Sequence, residues 1–584
     1  MKTYSTVVIS FFLLLLLAGC TQETATTTEE EVGTIVENTA VSATETPITA
    51  AGETETAVSE PTVTPPITPE LLANNGVTDP NWWDNAVFYE VFVRSFADSD
   101  GDGVGDLDGL INNLDYLNDG DPNTTDDLGI TGIWLMPISQ SPSYHGYDVV
   151  DYYQVDDEYG SNEDFLRLMA EAHARGIRVI VDLVMNHTSS EHPWFQEAQD
   201  PASAYRDWYV WADNPEGPGW HETPNGFYYG YFWDGMPDVN VENEEATAAL
   251  QDVIRFWLEE MGADGFRLDA IKHLIEDGRI IENTPATHEW LAQQFYPVVK
   301  SSNSEALTVG EVWSTTDDVV PYIGDEVDLA FEFSLATGIL DSTVSERKVN
   351  VERAQTAVVD AYPSGQYATF LANHDQNRTR SVLLSDEQAK VAATLQLLSP
   401  GVPFIYYGEE IGMQGEKPDE NIRRPMQWNA EGGFSEAAPW HPYFEDFAER
   451  NVAGQNEDPN SLLNHYRSLI ALRNAYPVLQ TGGWTMVETD HKSVYAFLRF
   501  AEEDAILVLV NLWRNPVEEY QLNLVRGPLP SDLSNAELLL GDNSQPLISP
   551  QINTQTGGFE SYQPMPVLPP YSSTVIHFST SGNE

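Results

Sequence analysis

Three acidic side chains of this chain follow short apolar segments and could do chemistry. Asp269 lies in GFRLDAIKH, Glu311 in GEVW and Asp375 in LANHD. Taken singly, each is better explained as an ion-pair partner or a helix cap. Taken together, converging carboxylates are the groups that cleave glycosidic bonds, one as nucleophile and another as general acid and then base.

The elements that would hold these residues alternate along the chain. Short β-type runs alternate with helical patterns such as residues 162–176 and 244–262. The predicted strands are 87–93, 132–135, 179–184, 265–268, 307–312, 328–333, 367–371 and 404–407. Eight strands with helical spacers predict an α/β fold, a (β/α)8 TIM barrel. In such a barrel the active site lies at the carboxyl ends of the strands, where Asp269, Glu311 and Asp375 would meet.

Two segments depart from this alternation. Residues 187–242 are rich in aromatic residues, Gly and Pro and lack a helical period, so we expect an inserted domain B after the third strand. Residues 478–584 consist of short β runs, which predict a C-terminal antiparallel β-sandwich. The catalytic barrel is then expected to comprise residues 76–186 and 243–477.

The N-terminal residues resemble a bacterial lipoprotein signal covering residues 1–19. A short apolar run follows Lys2, and the segment ends in LAGC at Cys20, the single cysteine of the chain. We expect lipidation at Cys20; an ordinary secretory signal with a chance cysteine is the alternative. Residues 20–75, rich in Thr, Glu and Pro, predict a disordered acidic tether. The predicted location is extracytoplasmic, with the protein anchored to a membrane through Cys20.

The charge of the chain excludes one class of partner. With 27 Lys and Arg against 92 Asp and Glu, the net charge is −65. Nucleic acid is therefore not expected as a partner, because its phosphates would be repelled. The chain also has 15 Trp and 26 Tyr, and aromatic rings near polar residues often form platforms for sugars. We expect a monomer that binds a neutral substrate.

A second acidic segment, DSDGDGVGD, suits a metal ion. Asp98, Asp100, Asp102 and Asp106 alternate with other residues on a glycine-rich loop, where the Val104 carbonyl offers a further oxygen. Four carboxylates on a tight loop repel one another without a cation, and oxygen ligands suit Ca²⁺. The alternative is an acidic, solvated turn. The sequence thus predicts Ca²⁺ as a cofactor.

Four motifs, DLVMNH, GFRLDAIKH, EVW and LANHD, resemble in order and spacing those of the α-amylase family of glycoside hydrolases. GIWLMPI, MPDVN and GVPFIYYGEEIGM resemble its accessory motifs, and the resemblance covers about residues 82–480. It implies retaining hydrolysis of α-glucans such as starch and maltooligosaccharides. By this resemblance Asp269 is the nucleophile, Glu311 is the general acid and base, and Asp375 holds sugar hydroxyls. The family's more familiar calcium site uses an asparagine that corresponds to Asn186.

The same resemblance implies substrate-binding roles around these carboxylates. Arg267, two residues before the nucleophile on the same strand face, is expected to keep Asp269 ionised and aimed. The expected substrate-binding residues are Tyr147, His145, His187, Arg267, Lys272, His273 and His374. Among them, Tyr147 would stack under the cleaved sugar, and Lys272 with His273 would bind the leaving group.

The resemblance leaves the action pattern on α-glucans open. MPDVN resembles the variant between the oligo-1,6-glucosidase and neopullulanase groups. Ala270 favours cleavage of α-1,4 bonds, because relatives that cut small α-1,6-linked oligosaccharides tend to have Val there. Asp148 and Arg378 instead resemble the pair that closes the pocket of exo-acting α-glucosidases. The alternatives are therefore an exo-acting α-glucosidase, oligo-1,6-glucosidase or cyclomaltodextrinase-like enzyme, and, more remotely, an inactive sugar-binding or transporter-accessory protein.

Overall fold

The computed structural model describes residues 81–215, 217–277, 281–502, 504–530, 533 and 535–579. The predicted signal (1–19), the lipidation site at Cys20 and the predicted tether (20–75) lie outside the described residues. Within the described part of the chain, no helix has both the length and the apolar character needed to cross a membrane.

Eight parallel strands form a barrel. In chain order, barrel strands 1 to 8 are Phe88–Val91, Gly132–Leu135, Arg178–Leu183, Gly265–Leu268, Leu307–Gly310, Leu329–Ala330, Ala368–Thr369 and Val402–Tyr406. Strand 8 pairs with strand 1 through Phe88 and Phe404, and a bridge between Phe331 and Ala368 joins strands 6 and 7. The predicted (β/α)8 barrel is confirmed.

Helices alternate with the barrel strands, and their apolar residues share one core with the outer faces of those strands. The longer helices are Leu107–Asn112, Asn162–Ala174, Glu244–Arg255, Pro285–Trp290, Tyr296–Ser302, Phe333–Ser345, Val349–Ala361, Asp386–Leu398 and Leu462–Ala475. The second of these begins at a capping box, in which Ser161 and Asp164 each accept a hydrogen bond from the other's backbone N–H. Its start is therefore specified by local sequence.

Alternation along the strands decides which side chains enter the barrel. The interior is filled by Phe88, Trp134, Ile180, Leu307, Val309, Phe331 and Phe404. On strand 4, Phe266 and Leu268 belong to the outer core. Arg267 therefore points inward, and its guanidinium lies 5.1 Å from the Trp134 ring. The same alternation directs Asp269, just past the strand, to the barrel mouth.

The chain leaves the barrel after strand 3 and returns before the helix Glu244–Arg255. Between them lie the helix Pro193–Ala198 and a three-stranded antiparallel sheet of Trp211–Ala212, Trp220–Thr223 and Gly226–Tyr229. An antiparallel bridge between His187 and Asp238 closes the base of this insertion. Its first residues therefore lie at the barrel mouth.

Two antiparallel sheets form the C-terminal part, as predicted. One contains Gly483–Met486, Val494–Phe500, Ala505–Asn511, Asn535–Leu540 and Ser572–Ser579, and the other contains Glu488–Thr489, Leu522–Leu524 and Phe559–Tyr562. Buried Arg473 and Arg499 both donate to the carbonyl of Leu479, at 3.2 and 2.7 Å. These bonds join the last barrel helix to the C-terminal sheets.

Candidate active site

The guanidinium of Arg267 connects the ends of barrel strands 3, 4 and 5. Its Nη1 donates to both carboxylate oxygens of Asp182 at 2.9 Å and to Asp269 Oδ1 at 2.8 Å. Its Nη2 donates to Glu311 Oε2 at 2.6 Å, and the side chain is 1% exposed. A buried cation requires buried anions around it. Arg267 thereby holds Asp269 and Glu311 beside each other.

The backbone turns sharply after Asp269. Ala270 has φ 47° and ψ 36°, a left-handed conformation that costs a residue with a Cβ roughly 1–2 kcal/mol. Its N–H donates to Glu311 Oε2 at 3.2 Å, and the N–H of Asp269 donates to the Leu183 carbonyl at 3.3 Å. Strain of this kind persists where surrounding contacts hold it, often at functional sites. Here the strained residue directly follows Asp269 and its N–H binds Glu311, so the strain accompanies the alignment of these two carboxylates.

Glu311 has the electrostatic property that a general acid needs. Burial raises its pKa, and the charges of Asp269 and Asp375 raise it further, against the opposing charge of Arg267. Burial likewise raises the pKa of Asp182 to about 7, with Arg267 opposing and Asp269 reinforcing the shift. One guanidinium does not balance three carboxylates, and this excess of negative charge favours protonation of one of them. A protonated Glu311 can donate to a glycosidic oxygen.

Asp375, after barrel strand 7, is held by two cationic groups. Arg423 Nη2 donates to its Oδ1 at 2.9 Å, and His374 Nε2 lies 3.1 Å from its Oδ2. His374 Nδ1 lies 2.6 Å from Glu90 Oε1 on barrel strand 1. Burial acts to lower the pKa of His374, but Asp375 and Glu90 raise it to about 9. In turn, His374 and Arg423 lower the pKa of Asp375 against the effect of burial, which keeps Asp375 ionised.

Two predicted sugar-binding side chains line the space near these carboxylates. The Tyr147 hydroxyl lies 2.6 Å from His374 Nε2 and donates to Asp182 Oδ2 at 3.1 Å. His187 is 2% exposed, and its Nε2 has no hydrogen-bond partner among the residues that the structure describes. Burial lowers the pKa of His187 to about 3, so its ring is neutral near pH 7. A neutral imidazole with a free nitrogen suits a sugar hydroxyl.

Lys272 and His273 lie directly after the nucleophile segment. Lys272 Nζ donates to Glu282 Oε1 and to the Trp313 carbonyl, both at 3.0 Å. His273 Nδ1 lies 2.7 Å from Glu276 Oε1. The contact with Trp313, two residues beyond Glu311, places this pair next to the predicted general acid. That is the side on which a leaving group protonated by the acid would lie.

The structure corrects the predicted pairing of Asp148 with Arg378. Arg378 is buried and donates to the backbone carbonyls of Ile422 at 2.8 Å and Tyr407 at 2.7 Å. Its guanidinium also lies over the rings of Tyr406 and Tyr407. These contacts hold Arg378 in the protein interior, so it does not reach Asp148. Its Nη2 has no hydrogen-bond partner among the described residues, and its substrate-binding role stays a prediction.

Asp148 has other partners. It accepts hydrogen bonds from Ser141 Oγ at 2.9 Å and from Ser143 Oγ, and His145 Nδ1 lies 3.8 Å from its Oδ1. His145 also lies close to the site, with its ring centroid 6.1 Å from that of Tyr147. Thus His145 and Asp148 belong to the group around Tyr147, while Arg378 does not.

The sequence analysis assigned no role to Arg423, Glu90 or Asp182, although all three hold site residues. Asp182 lies in the motif DLVMNH and shares the guanidinium of Arg267 with Asp269. Arg423 lies 48 positions from its partner Asp375. For Glu90 and Asp182 the available signal was a carboxylate within an otherwise apolar segment, since a charged residue buried there needs a partner; the polar segment around Arg423 carried no such signal.

Of the predicted metal ligands, the structure brings together Asp98, Asp100 and Asp106. One oxygen from each carboxylate lies within 4.8 Å of the others. Asp102 does not belong to this group; its exposed side chain accepts a hydrogen bond from the backbone N–H of Val104 at 2.7 Å. The predicted loop thus converges on three of its four carboxylates.

Fold and site together define a class of protein. A parallel barrel presents neighbouring carboxylates at its mouth, and one of them is disposed to carry a proton, as in glycoside hydrolases that use a nucleophile and an acid. The family model for the α-amylase catalytic domain matches residues 90–482. The chain belongs to the α-amylase family of glycoside hydrolases, and it is a glycosidase.

The names of individual relatives give different activities. "Alpha-amylase 3" of Dictyoglomus thermophilum is 40% identical over 451 residues, which cover 75% of this chain and 87% of the relative. The trehalose synthase/amylase of Mycobacterium tuberculosis is 35% identical over 511 residues, covering 75% and 83%. The crystal structure of an α-amylase from H. orenii matches with a TM-score of 0.75 at 39% identity, covering 85% of this chain and 99% of that one.

Asp269→Asn should reduce hydrolysis of α-glucan at least about a thousandfold, because an amide is not a nucleophile for the anomeric carbon. The measurement is the release of reducing sugar, with circular dichroism to verify folding. Asp252→Asn is the matched control, since Asp252 is an exposed carboxylate on a helix, paired with Arg255. Hydrolysis by the Asp269 variant at wild-type rate would contradict the assignment.

Proposed function

We propose that this glycosidase hydrolyses α-1,4-glucosidic bonds within starch and maltooligosaccharides, with retention of anomeric configuration. The observation that carries the proposal is the contact of one guanidinium, Arg267, with both Asp269 and Glu311. A shared guanidinium keeps the two carboxylates close. The carboxyl groups of retaining glycosidases lie about 5–5.5 Å apart, closer than in inverting ones, which leave room for a water.

The proposed reaction has two steps. Glu311 protonates the glycosidic oxygen while Asp269 attacks the anomeric carbon, so the leaving sugar departs and a covalent glycosyl-enzyme forms. Glu311, now ionised, takes a proton from water, which attacks the same carbon and releases Asp269. Asp375 and His187 are placed to bind hydroxyls of the sugar that is cleaved. Tyr147 offers its ring to the apolar face of that sugar.

Endo-type cleavage is supported by the absence of a cationic partner for Asp148. Among the described residues, no Arg or Lys lies within 4.0 Å of the Asp148 carboxylate. An ion pair there would close the site around a terminal glucose, and Arg378 is engaged elsewhere. A relative at 40% identity is named an α-amylase. The absence of this ion pair supports binding of chains that extend beyond the sugar that is cleaved.

An exo-acting α-glucosidase is the second candidate. Arg423 contacts Asp375 and also lies 3.3 Å from Asp419. Its guanidinium lies 5.8 Å from the centre of the Tyr144 ring, which lies 5.4 Å from that of His145, so Arg423 lies near the group around Asp148. A modest movement of this arginine towards Asp148 would narrow the site for long chains and favour short maltooligosaccharides.

We also propose that the carboxylates of Asp98, Asp100 and Asp106 bind Ca²⁺. Among the described residues, no Lys, Arg or His lies within 4.0 Å of these three carboxylates, and the oxygen donors suit a hard cation. Against the effect of burial, hydrogen bonds from Ser435 and from backbone N–H groups lower the pKa of Asp98. Asp98 is thus held in its ionised form, and a cation would offset the repulsion between the three carboxylates.

Products distinguish the two candidate activities. We expect mixed maltooligosaccharides early in the digestion of soluble starch, and no cleavage of isomaltose, because long chains enter the site and only α-1,4 bonds are cut. A time course with soluble starch, maltotriose, pullulan and isomaltose, resolved by chromatography, is the measurement. Glucose as the only early product from starch, or cleavage of isomaltose, would favour the exo-acting enzyme. Trehalose formed from maltose would instead favour a trehalose synthase.

Removal of Ca²⁺ should lower the melting temperature by a few degrees, since a ligand bound only to the folded state stabilises it. Differential scanning calorimetry with EGTA and with added Ca²⁺ measures the shift. Asp100→Asn should remove most of the response. Asp108→Asn should keep it, because that exposed carboxylate is paired with Arg167. A melting temperature indifferent to chelation would eliminate the calcium proposal.

We propose that lipid on Cys20 anchors the protein outside the cytoplasm, on the basis of LAGC and the single cysteine. Cells expressing the full chain should incorporate labelled palmitate into it and retain it in the membrane fraction. Cys20→Ser should abolish the label and release the protein. Equal labelling of the serine variant would overturn the proposal.

A further inference from the structure

The side chain of Glu90 enters the barrel interior from strand 1. Phe88, two positions earlier on the same face, belongs to the interior filling, whereas Tyr89 and Val91 belong to the outer core. Glu90 is 2% exposed, so its carboxylate needs partners inside the protein. Its Oε1 lies 2.6 Å from His374 Nδ1. Strand 1 thus brings a buried carboxylate to a histidine of the active-site mouth.

Contacts on both sides of the His374 ring determine how many protons it carries. A carboxylate only accepts hydrogen bonds, so Nδ1 donates to Glu90. On the other side, Nε2 lies 3.1 Å from Asp375 Oδ2 and 2.6 Å from the Tyr147 hydroxyl, which itself donates to Asp182. Nε2 therefore donates as well, and both ring nitrogens carry hydrogen only in the imidazolium. The geometry selects the charged form of His374.

The electrostatics of the site agree with this geometry. Burial acts to lower the pKa of His374, but Asp375 and Glu90 raise it to about 9. The side chain of Asp375 is 30% exposed, so the imidazolium lies between one buried carboxylate and one that a substrate can reach. Among the described residues, the charged or titratable groups that face Glu90 and His374 are Asp375, Tyr147, Asp182, Glu311, Arg423 and Tyr406.

We propose that Glu90 is a positioning residue for the hydrolysis, which fixes His374 as an imidazolium whose Nε2–H is directed at Asp375. This inference rests on the proposed hydrolysis of α-glucans. Glu90 acts through His374, since its carboxylate contacts the ring nitrogen opposite to the one that faces Asp375. The fixed cation keeps Asp375 ionised and available to sugar hydroxyls. Without the charge of Glu90, His374 would lose its proton at a lower pH and present a lone pair to Asp375.

Glu90→Gln keeps a hydrogen-bond acceptor and removes the charge. Loss of an opposite charge at this distance should lower the pKa of His374 by about one to three pH units from about 9. We therefore expect the ratio of wild-type to variant kcat/KM for maltoheptaose to grow about fivefold or more from about pH 6 to about pH 9. A purely structural role for Glu90 would give a ratio that does not change with pH.

Two variants serve as controls for the pH profile. Glu90→Asp keeps the charge, so its ratio to the wild type should stay constant with pH. Glu326→Gln removes another buried carboxylate that lies beside a histidine, 2.8 Å from His288 Nδ1, and its ratio should also stay constant. If Glu90→Gln does not fold, Glu90→Ser, a smaller uncharged acceptor, replaces it.

The charge of His374 is measured without substrate by NMR of protein whose histidines carry ¹³C at Cε1, with the signal identified by its absence from His374→Gln. In the wild type this signal should keep the chemical shift of an imidazolium at pH 7, and in Glu90→Gln it should titrate at lower pH. A neutral His374 in the wild type, or a Glu90→Gln ratio constant with pH, would overturn the proposal. A wild-type enzyme that hydrolyses no α-glucan would instead overturn the proposed function, while the NMR titration still decides the charge of His374.

Discussion

The carboxyl end of the barrel depends on one buried ion group, in which Arg267 contacts Asp182, Asp269 and Glu311. Charges taken out of water are stable only with close partners, and removing one partner of a buried pair typically costs about 3–5 kcal/mol. The three carboxylates and the guanidinium therefore hold one another in place. Burial raises the pKa of Glu311, and the charges of Asp269 and Asp375 raise it further against the opposing charge of Arg267, so the surroundings that hold Glu311 also favour its protonated form.

The barrel supplies the geometry for this group. Alternation along strands 3, 4 and 5 directs Asp182, Arg267 and Glu311 inward above an aromatic interior. A second ion group, built by Glu90, His374, Asp375 and Arg423, closes the other part of the mouth. Tyr147 connects the two groups through its hydroxyl. A substrate entering between them meets the ionised carboxylate of Asp375 and the carboxyl group of Glu311, whose pKa burial raises.

The inserted domain completes the mouth from outside the barrel. It begins at His187, whose Nε2 is buried without a partner among the described residues, and it presents Phe232 beside His273. Loops on a rigid scaffold commonly determine which substrates an enzyme accepts, because they vary without disturbing the core. The relatives' names give different activities, as expected where a shared barrel is combined with different loops around the active site.

By itself the sequence determined the eight-stranded barrel, the insertion, the C-terminal sheets and the three carboxylates, because these depend on local periodicity and on short motifs. It could not determine the partners of charged side chains. Arg378 was paired with Asp148 on the basis of resemblance, yet it is buried and donates to backbone carbonyls. Arg423, which contacts Asp375, was left without a role. Only the tertiary structure decided these pairings, since a buried cation takes whichever oxygens folding brings within hydrogen-bond distance, regardless of separation along the chain.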